Sequence, residues 1–170
     1  ASAALVKQGA TVSGLGNLFF TSTAPDGSFT ITGLASGSYT LAFTGPYGST
    51  FAPQYWSGAS VLADASYFTV TAGHSETGKD AVLQPGSSIS GTLSSAGAPL
   101  GSGTVQAIDA DGRAVANATA GSDGSYTLVG VPAGSMTLEF GPPFFGNFLP
   151  QWWSGASTAA DAQYFDVPQA

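Results

Sequence analysis

Residues 25–43 read PDGSFTITGLASGSYTLAF, and residues 122–140 read SDGSYTLVGVPAGSMTLEF. These stretches begin a longer match in which residues 25–73 align with residues 122–170 without a gap, and 25 of the 49 positions are identical. Self-similarity at a fixed offset is typical of a duplicated structural unit. The sequence therefore predicts two copies of one fold, offset by 97 residues.

Apolar residues alternate with polar ones in both copies, as in half-buried strands, and Gly-rich turns separate these stretches. No long helical period is present, so the predicted fold class is all-β, a pair of tandem transthyretin-like (Ig-like) β-sandwich repeats. One helical turn is predicted in each copy, at residues 60–65 and 157–162, each opened by a Ser cap. The predicted strands cover residues 18–21, 28–32, 38–43, 67–70, 80–83, 88–93, 104–109, 115–120 and 164–167, together with the copy-two counterparts of 28–32 and 38–43.

The boundary between the copies is predicted near Gln84 and Pro85, which gives a shortened repeat at residues 1–84 and a repeat at 85–170 that lacks its last strand. Residues 4–14 resemble residues 81–91 at an offset of 77, so copy one lacks 97 − 77 = 20 residues near its start. At this offset, residues 3–6 correspond to residues 80–83, the predicted last strand of copy one. They therefore resemble the last strand of a further repeat that would precede copy one. We expect them to close copy two in the same chain or by strand exchange with a neighbouring chain, or to leave an open edge.

Composition excludes several classes of function. Ten acidic and three basic residues give a net charge of −7, which disfavours nucleic acid as a partner. Cysteine is absent, and no apolar run is long enough to span a membrane. Residues 73–80, GHSETGKD, miss the hydroxyl and the helix that a phosphate-binding loop requires, and Asp109 with Asp111 falls short of a calcium site. We expect no metal and no cofactor.

Clustered aromatic residues are the most informative candidates for a binding site. Adjacent residues on an extended chain point to opposite faces, so one ring of each Tyr-Trp or Trp-Trp pair can face outward. Exposed flat rings can stack on the faces of sugars. The alternative is that Trp56 and Trp153 fill the open ends of the sandwiches. The candidate residues are Tyr55, Trp56, Trp152 and Trp153 for stacking, Tyr47, Phe144 and Phe145 in the preceding loops, and Gln54 and Gln151 for hydrogen bonds to hydroxyls.

The strings SISGTL, TVQAIDADG and DGSYTLVGVPAGSMTLEF resemble the carboxypeptidase regulatory-like domain, a transthyretin-like sandwich similar to Cna B-type repeats. PQYWSGAS and PQWWSGAS resemble tandem repeats of secreted actinobacterial proteins that are grouped with starch-binding-like sandwiches. The resemblance implies a secreted or cell-surface location and extracellular carbohydrate binding. Cna B-type relatives often carry a Lys–Asn isopeptide crosslink, but no Asn of this sequence falls in a final strand.

The leading hypothesis is a non-catalytic module that binds a polysaccharide or cell-wall glycan, of the α-glucan or starch type. A structural or adhesive surface spacer is the first alternative. The second is a small amylase-like glycoside hydrolase, for which two carboxylates would be needed. Glu139 and Asp166 are the candidates because they have no acidic counterparts in copy one.

Overall fold

A computed structural model describes residues 1–9, 19–143 and 148–169. The chain is all-β, as predicted, and every strand pairing is antiparallel. It divides into two compact units, Ala1–Gln84 (unit 1) and Pro85–Ala170 (unit 2). Within the described ranges, no helix has the length and apolar character needed to cross a membrane.

In the described part of unit 1, the strands form one sheet in the order β2-β1-β3-β4, with β5 also paired to β3. Its inner face carries buried aliphatic and aromatic residues, and its outer face carries a smaller cluster of Val6, Ala42 and Tyr55. A short 3₁₀ turn, Leu62–Asp64, follows β4. The strands are β1 Ser2–Lys7, β2 Phe20–Ser22, β3 Gly37–Thr44, β4 Gln54–Tyr55 and β5 Phe68–Val70.

Unit 2 has two facing layers. One layer is a sheet of the order β10-β9-β12-β13, with β14 also paired to β12, and the other is the pair β11-β6; β7 and β8 form a separate short hairpin. Side chains of β9, β11 and β12 form the core between them. The strands are β6 Ser87–Thr92, β7 Ser94–Ser95, β8 Ala98–Pro99, β9 Thr104–Asp109, β10 Ala114–Thr119, β11 Ser125–Val131, β12 Gly134–Gly141, β13 Gln151–Trp152 and β14 Phe165–Val167, with 3₁₀ turns at Trp153–Gly155 and Ala159–Asp161.

The two units use the same register around their central strands. Leu5 of β1 lies opposite Leu41, and Ala107 of β9 lies opposite Leu138, where 41 + 97 = 138. The first strand of the chain therefore takes the place of β9, at an offset of 102 rather than the predicted 77. Because β1 is paired on both edges, with β2 and β3, residues 3–6 do not close copy two within this chain.

Two strands predicted in unit 1 are absent. Residues 28–32 and 80–83 are not strands, although Phe29, Ile31 and Leu83 pack against the unit 1 core. Residues 28–32 are the counterpart of β11, which in unit 2 is hydrogen-bonded to β6. Alternation places their apolar side chains on the core, but a strand also needs a paired backbone.

Two of the 3₁₀ turns, Leu62–Asp64 and Ala159–Asp161, lie where the helical turns were predicted, but the predicted Ser caps are wrong. The residues that precede the turns are Val61 and Thr158, and neither turn has a side-chain cap hydrogen bond. Thr158 instead donates its hydroxyl hydrogen bond to the Asp161 carboxylate, at 2.7 Å between the oxygens.

Candidate functional site

The repeated sequence WSGAS forms a tight turn directly after β4 and after β13. Ser154 and Gly155 both have positive φ, 64° and 83°, and Ser57 and Gly58 repeat this at 68° and 86°. Two consecutive residues of this kind reverse the chain sharply, which is why Gly follows Ser in both copies. The backbone N–H of Trp152 closes the unit 2 turn on the carbonyl of Ala156, at 2.8 Å. Each turn fixes the Trp that precedes it.

Tyr55 and Trp56 point to opposite faces of the unit 1 sheet, as strand alternation predicts. Tyr55 is only 5% exposed and packs with Val6 and Ala42 on the outer face. Trp56 packs against the inner core, edge-on to Phe68 with 5.3 Å between ring centroids. The expectation of an exposed Tyr55 ring therefore does not hold, because the loop after β4 folds back over it.

Lys79 lies over the half-buried Trp56 ring. Its ammonium nitrogen is 5.1 Å from the centroid of the Trp56 ring and 5.1 Å from that of Phe68. Glu76 holds the same nitrogen at 3.5 Å. A cation at this distance interacts with the π face of an indole. Lys79 and Phe68 thus occupy part of the surface of the Trp56 ring within unit 1.

Gln54, the predicted polar partner in unit 1, is directed into its own fold. It is half-buried, and its side-chain amide donates a hydrogen bond to the carbonyl of Val82 at 3.4 Å. Gln54 contacts Val82, and Trp56 contacts Lys79. Both side chains therefore hold residues 79–82 against the rest of unit 1.

The counterparts in unit 2 are more open. Trp153 is 42% exposed, and its ring packs edge-on against Phe165 with 5.6 Å between centroids. Gln151 is exposed, and its amide nitrogen lies 3.8 Å from the position that a Cβ at Gly155 would take. An indole face and an amide thus border the same turn. Trp152 is half-buried and lies opposite Glu139 in the β12–β13 pairing.

The remaining predicted aromatics lie in the loops before β4 and β13. Tyr47 is 98% exposed, whereas Phe144 and Phe145 lie outside the described residues. Sequence reasoning missed Phe148, Leu149 and Tyr164, which are also exposed in unit 2. The YF dipeptide occurs in both copies, at residues 67–68 and 164–165. This repetition could have indicated Tyr164 as a site residue, because the adjacent Phe165 packs against Trp153.

The two candidate catalytic carboxylates are not brought face to face. Asp166 lies opposite Ser135, and Ser135 is four residues from Glu139 on β12. At about 3.3 Å per residue, these positions are about 13 Å apart along the strand. Paired glycosidase carboxylates lie about 5–10 Å apart. In the described part of the chain, no group of three His, Asp or Glu residues could hold a metal ion.

Asp109 and Asp111 belong to a structural turn. The Asp109 carboxylate accepts backbone hydrogen bonds from Asp111 at 3.0 Å and from Arg113 at 2.8 Å. Burial raises the pKa of Asp109 above its ordinary value of 3.8, although the Arg113 hydrogen bond opposes the shift. The backbone N–H groups of this turn account for the position of the acid.

Comparison with known proteins gives no relative from which a function can be transferred: no family model, curated protein or solved structure matches the chain.

Proposed function

We propose that the protein is a non-catalytic, extracellular carbohydrate-binding β-sandwich module, and that unit 2 carries the binding surface. The observation that supports this most is the 42% exposure of Trp153 beside the exposed Gln151 amide. The resemblance to starch-binding-like repeats favours an α-glucan as the ligand class and a secreted or cell-surface location.

Stacking on Trp153 has a clear physical basis. The axial C–H groups of a pyranose ring pack against an aromatic face, and burial of both surfaces releases water. Trp153 is held by the WSG turn on one side and by Phe165 on the other. Little side-chain entropy is then lost on binding, since the ring is already positioned.

Gln151 supplies the directional part of the interaction. A carboxamide offers two donors and one acceptor, which match the mixed donors and acceptors of sugar hydroxyls. Its position beside Gly155 places these groups at the edge of the same turn as the indole. Stacking provides affinity, and the amide selects the orientation of the ring.

The test compares the same substitution at two equivalent Trp residues. We expect Trp153→Leu to weaken binding of maltoheptaose, followed by tryptophan fluorescence, by about tenfold, which corresponds to the loss of a stacking contact. Trp56→Leu is the matched control, since Lys79 already covers that ring, and it should leave the affinity within about twofold. Retention of the wild-type chain on insoluble starch checks the ligand class.

Equal losses in the two variants would contradict the assignment to unit 2. No retention and an unchanged fluorescence spectrum would instead favour a structural spacer. Release of reducing ends from soluble starch, abolished by Glu139→Gln or Asp166→Asn, would establish a hydrolase, which the separation of those carboxylates does not favour.

A further inference from the structure

One segment of unit 1 covers an edge of that unit. Residues 79–84, which we call the cover, run beside residues 52–56, which we call the unit 1 edge. The two segments are antiparallel, since the contacts between them join the end of one to the start of the other. These contacts join the Ala52 N–H to the Gln84 carbonyl at 2.9 Å, the Gln54 amide to the Val82 carbonyl at 3.4 Å, and the Lys79 ammonium group to the Trp56 ring centroid at 5.1 Å.

The cover, KDAVLQ, has a defined chemistry. Its first residue, Lys79, places a cation over the indole. Ala81 and Leu83 pack against the unit 1 core, whereas Val82 between them is 77% exposed. The cover therefore combines a cation at one end with inward-facing apolar side chains at alternate positions.

Residues 149–153 form the equivalent edge of unit 2, at an offset of 97, and we call them the unit 2 edge. Leu149 is 87% exposed, whereas its counterpart Ala52 is half-buried. Trp153 is 42% exposed, whereas Trp56 is half-buried. The three positions between them are also more exposed in unit 2: Pro150, Gln151 and Trp152 compared with Pro53, Gln54 and Tyr55. The unit 2 edge therefore lacks the protection that the cover gives in unit 1.

The two edges share the geometry that holds the cover. Gln54 lies opposite Phe43, and Gln151 lies opposite Phe140 in the same register. Both indoles stand edge-on to a Phe ring, with 5.3 Å and 5.6 Å between centroids. Both β4 and β13 are last in the strand order of their sheets, where another segment can be added. The unit 2 edge thus offers the same three groups: the Leu149 N–H, the Gln151 amide and the Trp153 ring.

Charge favours a cation at the unit 2 edge. Residues 85–170 contain six acidic residues and one Arg, which gives a net charge of 1 − 6 = −5. Residues 1–84 contain four acidic residues and two Lys, which gives 2 − 4 = −2. A Lys placed over Trp153 would therefore gain attraction from the charge of unit 2 in addition to its interaction with the π face.

We propose that the unit 2 edge binds a partner polypeptide through an extended segment with the chemistry of the cover. A Lys of the partner lies over Trp153, a main-chain carbonyl accepts a hydrogen bond from the Leu149 N–H, and apolar side chains at alternate positions face unit 2. The occupant is assigned from unit 1, where a segment of this chemistry lies on the equivalent edge. The inference does not rest on carbohydrate binding, although a bound segment would exclude a sugar from Trp153.

The test uses the full chain, labelled for NMR, and a synthetic peptide that copies residues 77–85, TGKDAVLQP, at low ionic strength. We expect saturable chemical-shift changes at the Trp153 indole N–H and at the Leu149 amide. With peptide at about ten times its Kd, hydrogen exchange of the Leu149 amide should slow by about tenfold. The indole N–H of Trp56 should not shift, because the cover already lies on that ring.

Two altered peptides separate the cation from the apolar contacts. The peptide with Lys79→Gln should bind about threefold more weakly or worse, because the cation over the indole is lost. The peptide with Leu83→Asp should bind at least about tenfold more weakly, because it places a charge against an apolar surface. Both changes are in the peptide, so the folding of the chain itself is unaffected.

Three results would overturn the proposal. The first is no binding up to about 1 mM peptide. The second is a set of shifts confined to residues 52–56, which would show exchange with the cover of unit 1. The third is equal affinity for the unaltered and the Lys79→Gln peptides. No sugar is present in this titration, so its failure would leave the starch-retention result unchanged, and a failure to bind starch would leave the peptide result unchanged.

Discussion

Trp56 and Trp153 occupy the same position in two copies of one motif, yet their surroundings differ. Trp56 packs on the unit 1 core beneath the ammonium group of Lys79, whereas Trp153 is 42% exposed. The motif and its turn are the same, so the difference arises from the residues that follow β5. Among the described residues the second layers also differ: unit 2 has the pair β11-β6, whereas residues 28–32 of unit 1 are not in a strand and border an open groove. A duplicated sequence therefore does not guarantee a duplicated site.

The largest expected effect contrasts the two second layers. Leu128 is fully buried between the β11-β6 pair and the facing sheet of unit 2, and Ile31 is its half-buried counterpart. Leu128→Ala should lower the free energy of unfolding of unit 2 by about 2–5 kcal/mol, since it leaves a cavity. Ile31→Ala should cost unit 1 less than about 1.5 kcal/mol, because less apolar surface is removed from water. Hydrogen exchange measured separately for the two units checks this prediction. Equal losses of stability would mean that Ile31 is as deeply buried as Leu128.

The next effect contrasts the ends of the equivalent strands β1 and β9. Asp109 lies opposite Met136, and Lys7 lies at the same register position opposite Tyr39. Asp109→Ala leaves two backbone N–H groups without their acceptor and should cost about 1–3 kcal/mol in urea unfolding. Asp109→Asn keeps the oxygen and should cost clearly less. Similar losses in both variants would show that the charge matters more than the hydrogen bonds.

The pH dependence of the same site has a defined sign. The folded-state pKa of Asp109 is raised above 3.8 by burial, so folding favours its protonated form. Its contribution to stability is therefore fully present below pH 3.8 and is lost as the pH rises through the raised pKa. The stability of Asp109→Asn relative to wild type should increase over that interval. Asp26 and Asp123, whose pKa values are lowered by hydrogen bonds from Ser28 and Ser125, act in the opposite direction and cancel in the difference.

The smallest expected effect tests what the units share. Thr40 and Thr137 are fully buried at equivalent positions, and their hydroxyls have no partner among the described residues. Replacing an unpaired buried hydroxyl by a methyl group of similar size removes a desolvation cost. Thr40→Val and Thr137→Val should each raise the unfolding free energy by up to about 1 kcal/mol. A loss of stability in either would reveal a hydrogen-bond partner.

The sequence by itself determined the all-β class, the main turns and the central strands β3 and β12 of the two units. Period-two alternation and Gly-containing turns depend on local chain geometry. Both patterns recur at an offset of 97, so each copy specifies its own central strand and turns. The same local rule correctly separated Tyr55 from Trp56 onto opposite faces of the sheet.

Only the tertiary structure decided which neighbours each segment finds. Residues 28–32 have the alternation of a strand but no strand partner among the residues that the structure describes, and β1 takes the place of β9 rather than the one predicted from its sequence match. The exposure of Trp153 and the cover over Trp56 depend on contacts with residues distant in sequence. Pairing and burial are set by what lies across space, and a local pattern does not encode the identity of that neighbour.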